Sequence, residues 1–296
     1  MRQSVTYINP RGNAAVFSTD PPYLFESIDG TGAGDVQQST SEPAGLDGAP
    51  LDDVDIGPRQ VTVKFHVYGA TQKALFEKRR DILTLLDPYW HKGGGLGRLE
   101  YTNENGTVWI PASVKTGPQK FDRVADYFKS EQVVFYCPDS NWRGNAYNRI
   151  RLAYLGGGMQ FPLRMGAVRF GARGYQDTIY NLGNRPSHVE MEITGPATRP
   201  EVIKVRTGQY IRLRADKPLV EGDTMRIDTT PGTVPGKPSL TITHSNGITE
   251  DAIGYLDLSS TLFRLDPGEN LLQYVSGDDG QTSTVTVATL PWWGGW

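Results

Sequence analysis

The chain alternates before it does anything else. From Gln60 to Tyr68 it reads Gln-Val-Thr-Val-Lys-Phe-His-Val-Tyr. Val61, Val63, Phe65 and Val67 fall on one side, and Thr62, Lys64 and His66 on the other. Side chains of a strand point to opposite faces in turn, so this spacing predicts a half-buried strand. The same alternation recurs at Val189–Ile193, Ile211–Leu213, Leu240–Ile242 and Val285–Val287, with shorter candidates at Leu99–Tyr101, Val108–Val114 and Val133–Tyr136. Turn dipeptides such as Asn105-Gly106, Asn246-Gly247, Pro267-Gly268 and Asp279-Gly280 separate these runs.

A single stretch breaks the period of two. Lys73 to Leu86 has no Gly or Pro, and Thr71 stands where a cap is wanted. Leu75, Ile82 and Leu86 lie near one stripe, joined by Phe76 and Leu83. Pro88 disfavours helix at Asp87 and ends the element. One helix among many strands predicts an α+β, mostly β chain: a β-sandwich-like first half carrying the helix, and an all-β second half. A connector, Pro138 to Gly144, follows the strand ending at Tyr136. It places the boundary so that domains span 1–140 and 141–296, both of ordinary size.

Composition narrows the function classes. Apolar residues make up 38% and charged residues 21%, and Lys+Arg 30 against Asp+Glu 33 gives a net charge of -3. A sequence-independent hold on nucleic acid needs a basic surplus, which is absent. No stretch approaches the ~18 apolar residues of a membrane span. The opening Met1-Arg2-Gln3-Ser4-Val5-Thr6-Tyr7 runs into a strand pattern rather than a secretory leader. One cysteine excludes an internal disulfide framework. Between Arg11 and Arg59 there is no Lys or Arg but nine carboxylates, among them Asp35, Glu42, Asp47, Asp52, Asp53 and Asp55. This Gly/Ser/Pro-rich span reads as a long exposed loop that repels nucleic acid.

Candidate chemistry is sparse, and no cofactor or metal is expected. Gly30-Thr-Gly-Ala-Gly34 and Gly93-Gly-Gly-Leu-Gly97 lack the full spacing of a phosphate loop and read as turns. Asp52-Asp53-Val54-Asp55 lacks the alternating ligands and distal Glu of a calcium loop. His66, His91, His188 and His244 show no metal spacing and read as surface or interface residues. Cys137 ends an apolar strand and reads as a small core residue. Lys78-Arg79-Arg80, flanked by Glu77 and Asp81, reads as a solvated helix face. No nucleophile elbow occurs, and scattered carboxylates select no glycosidase pair. Catalysis is not expected. The unusual segment is the end, where Trp292, Trp293 and Trp296 place three of six tryptophans in five residues. Such aromatics stack on sugars or dock on protein, and docking on protein is the favoured reading.

The order of segments adds a resemblance. Ile28-Asp-Gly30, Leu46-Asp47-Gly48, the strand from Arg59, the helix ending Leu-Leu-Asp-Pro88, Thr107 to Val114 and Val133 to Pro138 resemble the N-terminal domain of siphophage distal tail proteins. Ile193-Thr-Gly195-Pro, Gly222-Asp-Thr-Met-Arg-Ile-Asp-Thr229 and Leu265-Asp-Pro-Gly-Glu-Asn270 resemble the galectin-like C-terminal β-sandwich of that family. The resemblance spans essentially the whole chain and implies structural work. It implies a homo-hexameric ring at the distal end of the tail tube, between the tube protein and the tail-tip or tail-associated protein. It implies a hub for receptor-binding proteins and a channel that DNA traverses as cargo, in a virion part assembled in the host cytoplasm. Under it, Asp35, Glu42, Asp47, Asp52, Asp53 and Asp55 become candidates for a lumen- or tube-facing loop. Trp292, Trp293 and Trp296 become candidate protein contacts. The alternatives are a carbohydrate-binding adhesin module and another tail-tip or baseplate hub component.

Overall fold

The computed structural model describes residues 3–40, 51–119, 122–125, 128–152, 175–230, 238–277 and 283–296. Two compact units emerge. The first is 1–145 with 293–296, and the second takes in most of 146–292. The division thus falls after Asn145 rather than after residue 140, and the last four residues return to the first unit.

In the first unit the strands run in the order Ala14–Phe17, Ser4–Ile8, Gly97–Asn103, Gly106–Thr116, Phe128–Cys137, Arg59–Tyr68, Tyr23–Asp29. Every ladder along this path is antiparallel. A bridge between Ser18 and Leu24 joins the two ends of the path, so the sheet curls around one core. Arg59–Tyr68 is buried at every second residue. Its apolar side meets Val5, Phe17, Leu99, Ile110 and Phe135 in that core. Phe17 and Phe65 lie 4.6 Å apart, and Tyr7 and Phe135 4.7 Å apart.

The helix spans Gln72–Leu85. Thr71 caps it by accepting a hydrogen bond from the Ala74 amide at 3.1 Å. Leu75, Ile82 and Leu86 are buried as the stripe predicts, but Phe76 stays 57% exposed. One residue is 100° around a helix, and that rotation carries Phe76 off the seam. Gly69 makes the close approach possible: a Cβ there would sit 2.3 Å from the Leu75 nitrogen. Arg79 leaves the solvated face assigned to it and pairs with buried Glu131 at 2.8 Å, which fastens the helix to the strand Phe128–Cys137. His91, in the short 3-10 turn Pro88–His91, is also structural. Its Nδ1 lies 2.7 Å from the Gly95 carbonyl, and its Nε2 accepts from the Val114 amide at 3.1 Å. Those contacts fix the orientation of the ring between the turn and the strand Gly106–Thr116.

The second unit is two antiparallel sheets. One orders Asn148–Leu152, Thr284–Thr289, Glu190–Thr194, Thr224–Asp228, Ser239–Thr243 and Thr249–Asp251. The other orders Tyr175–Asn181, Gly268–Val275, Glu201–Lys204 and Gln209–Arg212. Met191, Ile193, Ile227 and Val287 of the first meet Ile179, Val202, Leu272 and Tyr274 of the second in a single core. This is the packing of a β-sandwich. The alternation read from the sequence marks the inward face of its strands; the Asp279-Gly280 turn lies outside the described residues.

Truncating the helix seam tests the packing. Ile82→Ala should cost the first unit about 2–5 kcal/mol, whereas Phe76→Ser should stay within about 0.5 kcal/mol. Urea titration of each variant against the parent checks both. Equal losses would mean that the helix packs on a different face.

Candidate functional site

The acidic span that reads as a loop contains a hairpin. Val36–Thr40 pairs with Leu51–Ile56 in a separate two-stranded sheet. Sequence alternation misses it because no face of either strand is buried: every residue in both is exposed. Register sorts the side chains. Val36↔Ile56, Gln38↔Val54 and Thr40↔Leu51 share one face, and Gln37↔Asp55 and Ser39↔Asp53 share the other. A register shift between Ser39 and Thr40 leaves Asp52 as the extra residue of a bulge. All four apolar residues therefore lie together, with Val36 at 52%, Leu51 at 54%, Val54 at 45% and Ile56 at 36% exposure. Asp53 and Asp55 make the opposite face acidic. Asp35 lies at the hairpin's base, where its carbonyl accepts from the Gly57 amide at 3.0 Å. Glu42 and Asp47 lie outside the described residues.

Beneath the hairpin sits Arg59, 3% exposed. Its Nη1 donates to the carbonyls of Gly30, at 2.7 Å, and of Gly32. Its Nη2 donates to Ser140 at 2.8 Å and Gly294 at 2.6 Å, and Nε donates to Ser140 at 3.1 Å. All five guanidinium donors are thus used on backbone oxygens. Burial lowers the pKa of this arginine, while Cys137, Asp35 and Asp139 act in the opposite sense. Gly30 has φ +87°, and a Cβ there would fall 2.1 Å from the Gln60 carbonyl. The glycine run that reads as a turn thus supplies carbonyls to Arg59 and leaves no room for a side chain at Gly30.

The terminal tryptophans close the same region. Trp293 and Trp296 meet at 5.2 Å, edge to face, and pack against the first unit's core. The Trp296 amide donates to the Thr31 carbonyl at 2.9 Å. Gly295 lets the tail approach, since a Cβ would lie 2.9 Å from Gly32. Trp292 is buried in the second unit with its ring 4.6 Å from His188. The structure therefore packs these aromatics against their own chain. Sequence reasoning missed Arg59, whose signal was a lone cation at the end of an acidic span.

The remaining histidines and the cysteine occupy defined places. His66 is 3.4 Å from Glu26. His244 lies between Asp223 at 3.2 Å and Glu250 at 3.3 Å, and the hydrogen bond it donates to Asp223 leads in raising its pKa. A raised value means that this stabilisation is present at acid pH and fades as pH rises through it. Cys137 is free and fully buried, and desolvation pushes its thiol up to about 12. Among the described residues no cluster of His, Cys, Asp and Glu is arranged to hold a metal.

The chain thus carries a hairpin on a curled β-domain, followed by a β-sandwich. The family described as phage tail protein RIFT-related domain matches residues 11–137. The one described as siphovirus-type tail component, C-terminal domain, matches 182–289. The chain belongs to the siphophage distal tail protein family. The crystal structure of SPP1 Dit (gp 19.1), described as a paradigm of hub adsorption apparatus in Gram-positive infecting phages, is similar. It shares 14% identity over 97% of this chain and 98% of its own, with a TM-score of 0.65. A chain of the phage P2 baseplate in its activated conformation with Ca shares 12% identity over 98% of each chain at a TM-score of 0.56. A chain of the Sr form shares 13% over 97% and 98% at 0.54. At these identities the likeness is one of fold. No curated protein matches the sequence. The matched families are those of phage tail components.

Two outcomes follow from the buried groups. Arg59→Met leaves its carbonyl partners without donors and should cost about 3–5 kcal/mol, read as a lower urea midpoint of tryptophan fluorescence; an unchanged midpoint would remove Arg59 from the structural account. Because the Cys137 thiol stays protonated well above its ordinary range, Ellman's reagent at pH 9 should leave the folded protein unmodified and label it once urea unfolds it. Rapid labelling of the folded chain would contradict the burial.

Proposed function

We propose that the chain forms a hexameric ring at the distal end of the tail tube. The ring joins the tube protein to the tail-tip protein, carries host-adsorption proteins and leaves a central channel for DNA. The observation that carries this reading is the hairpin Val36–Thr40/Leu51–Ile56, whose apolar face is exposed along its whole length. An isolated two-stranded ribbon is marginal in water, and an apolar face of this kind is stable only when covered. The occupant proposed is the neighbouring subunit. A hairpin that docks on a different surface of the next copy makes a heterologous contact, and repeated rotation closes such contacts into a ring.

Charge supports the channel. With that face on a neighbour, Asp53 and Asp55 point the other way, toward lumen or tube, and Asp35 lies at the base. Carboxylates repel the DNA phosphates, so cargo passes without adhering. Assembly in the host cytoplasm and a position at the tail tip belong to this proposal. Packing of Trp293 and Trp296 on their own unit weakens the adhesin alternative, because the terminal aromatics are not a free sugar platform.

Light scattering on a sizing column tests the ring. The parent should elute at six, or twice six, times 32.7 kDa. Val54→Asp with Ile56→Asp should bring it to the protomer mass with an unchanged circular dichroism spectrum. A parent that stays monomeric at all concentrations, or a double variant that keeps the ring mass, would overturn the proposal.

A further inference from the structure

The outer face of the second unit's larger sheet is a groove enclosing about 560 Å³, lined by Arg149, Glu190, Glu192, Arg226 and Asp228 among others. Strand register explains why these residues converge. Glu192 stands beside Arg226, and Glu190 beside Asp228, on neighbouring strands. Thr286 flanks Glu192 on one side and Thr241 flanks Arg226 on the other. Neighbouring strands lie about 4.8 Å apart, so carboxylates, hydroxyls and a guanidinium stand at close and regular spacing across the groove. Arg226 Nε donates to Glu192 Oε2 at 2.9 Å, and both side chains remain well exposed. At one end Tyr147 donates its hydroxyl to Glu190 at 2.6 Å, and the Arg149 guanidinium lies 5.1 Å from its ring. Tyr147 is 41% exposed.

We propose that this groove binds a neutral saccharide. Carboxylates only accept hydrogen bonds and guanidinium groups only donate them, whereas a hydroxyl does both. A ligand bearing a row of vicinal hydroxyls can therefore use both kinds of group in this mixed lining. An anion meets the three carboxylates and a cation the two arginines, so neither gains from the site's nearly balanced charge. Of the apolar members, Met191 and Ile227 are turned into the core and Ala288 alone shares the groove face, which leaves little for a lipid or an apolar peptide. The exposed ring of Tyr147 gives the C–H face of a pyranose something to stack on, and the volume lies in the range of small-molecule sites. The proposal goes beyond the ring reading and does not depend on it, since every residue named belongs to the second unit.

Saturation-transfer difference NMR on the full chain tests it. The probes are maltose, cellobiose, lactose and N,N′-diacetylchitobiose, each at about 10 mM, suited to a dissociation constant on the order of 1 mM. The expected result is transfer to the ring protons of at least one disaccharide, with affinity falling about tenfold or more in Glu192→Ala and in Arg226→Ala. Both positions are solvent-facing, so circular dichroism should show both variants folded. No transfer to any of the four, or transfer that both variants leave unchanged, would overturn the proposal. A monomer seen in light scattering would count against the ring and leave this readout intact.

Discussion

The first unit depends on one buried guanidinium. Arg59 is the first cation after Arg11 along the chain, and it opens the strand that forms the middle of the core. Its donors hold the carbonyls of Gly30 and Gly32, which lead into the hairpin, of Ser140, which follows the last long strand, and of Gly294 in the tail. Lysine could not replace it, because an ammonium offers three donors from a single point, whereas guanidinium offers five in a planar fork. Buried charge is costly, and the cost is offset here by complete hydrogen bonding to neutral oxygens together with the fields of Asp35 and Asp139. Three distant pieces of chain thereby take a fixed position around one residue.

That arrangement gives the hairpin a firm root. Gly34 and Gly57 flank it, and a Cβ on Gly34 would come within 2.9 Å of Ile56. Above the root the ribbon pairs with no further strand among the described residues, and it keeps apolar and acidic side chains on separate faces. A surface of this kind carries a cost in water unless another protein covers it. The structure thus combines a rigid support with an unsatisfied arm. This is what a subunit built for repeated head-to-tail contact requires, and it is the physical reason for preferring a ring to an isolated module.

Much of the fold is legible in the sequence wherever one face of an element is buried. The strand from Arg59, the strands near Val189 and Leu240, and the helix with its Thr71 cap all follow from period and capping. The hairpin is not legible, because a two-sided exposed ribbon has no burial to impose alternation. Neither is the role of Arg59, since nothing local tells a buried cation from a solvated one. Phe76 shows the limit of stripe reading: it is apolar, helical and near the seam, yet one residue of rotation leaves it outside. The tryptophans announce themselves by density alone. Only the tertiary contacts separate Trp292, in one unit, from Trp293 and Trp296 in the other.

Cryo-electron microscopy of the purified protein addresses the central claim most directly. Class averages should show closed annuli with sixfold symmetry and an open lumen, each subunit reaching its neighbour through the paired strands Val36–Thr40 and Leu51–Ile56. Discrete monomers or dimers, or closed particles without a central opening, would contradict it.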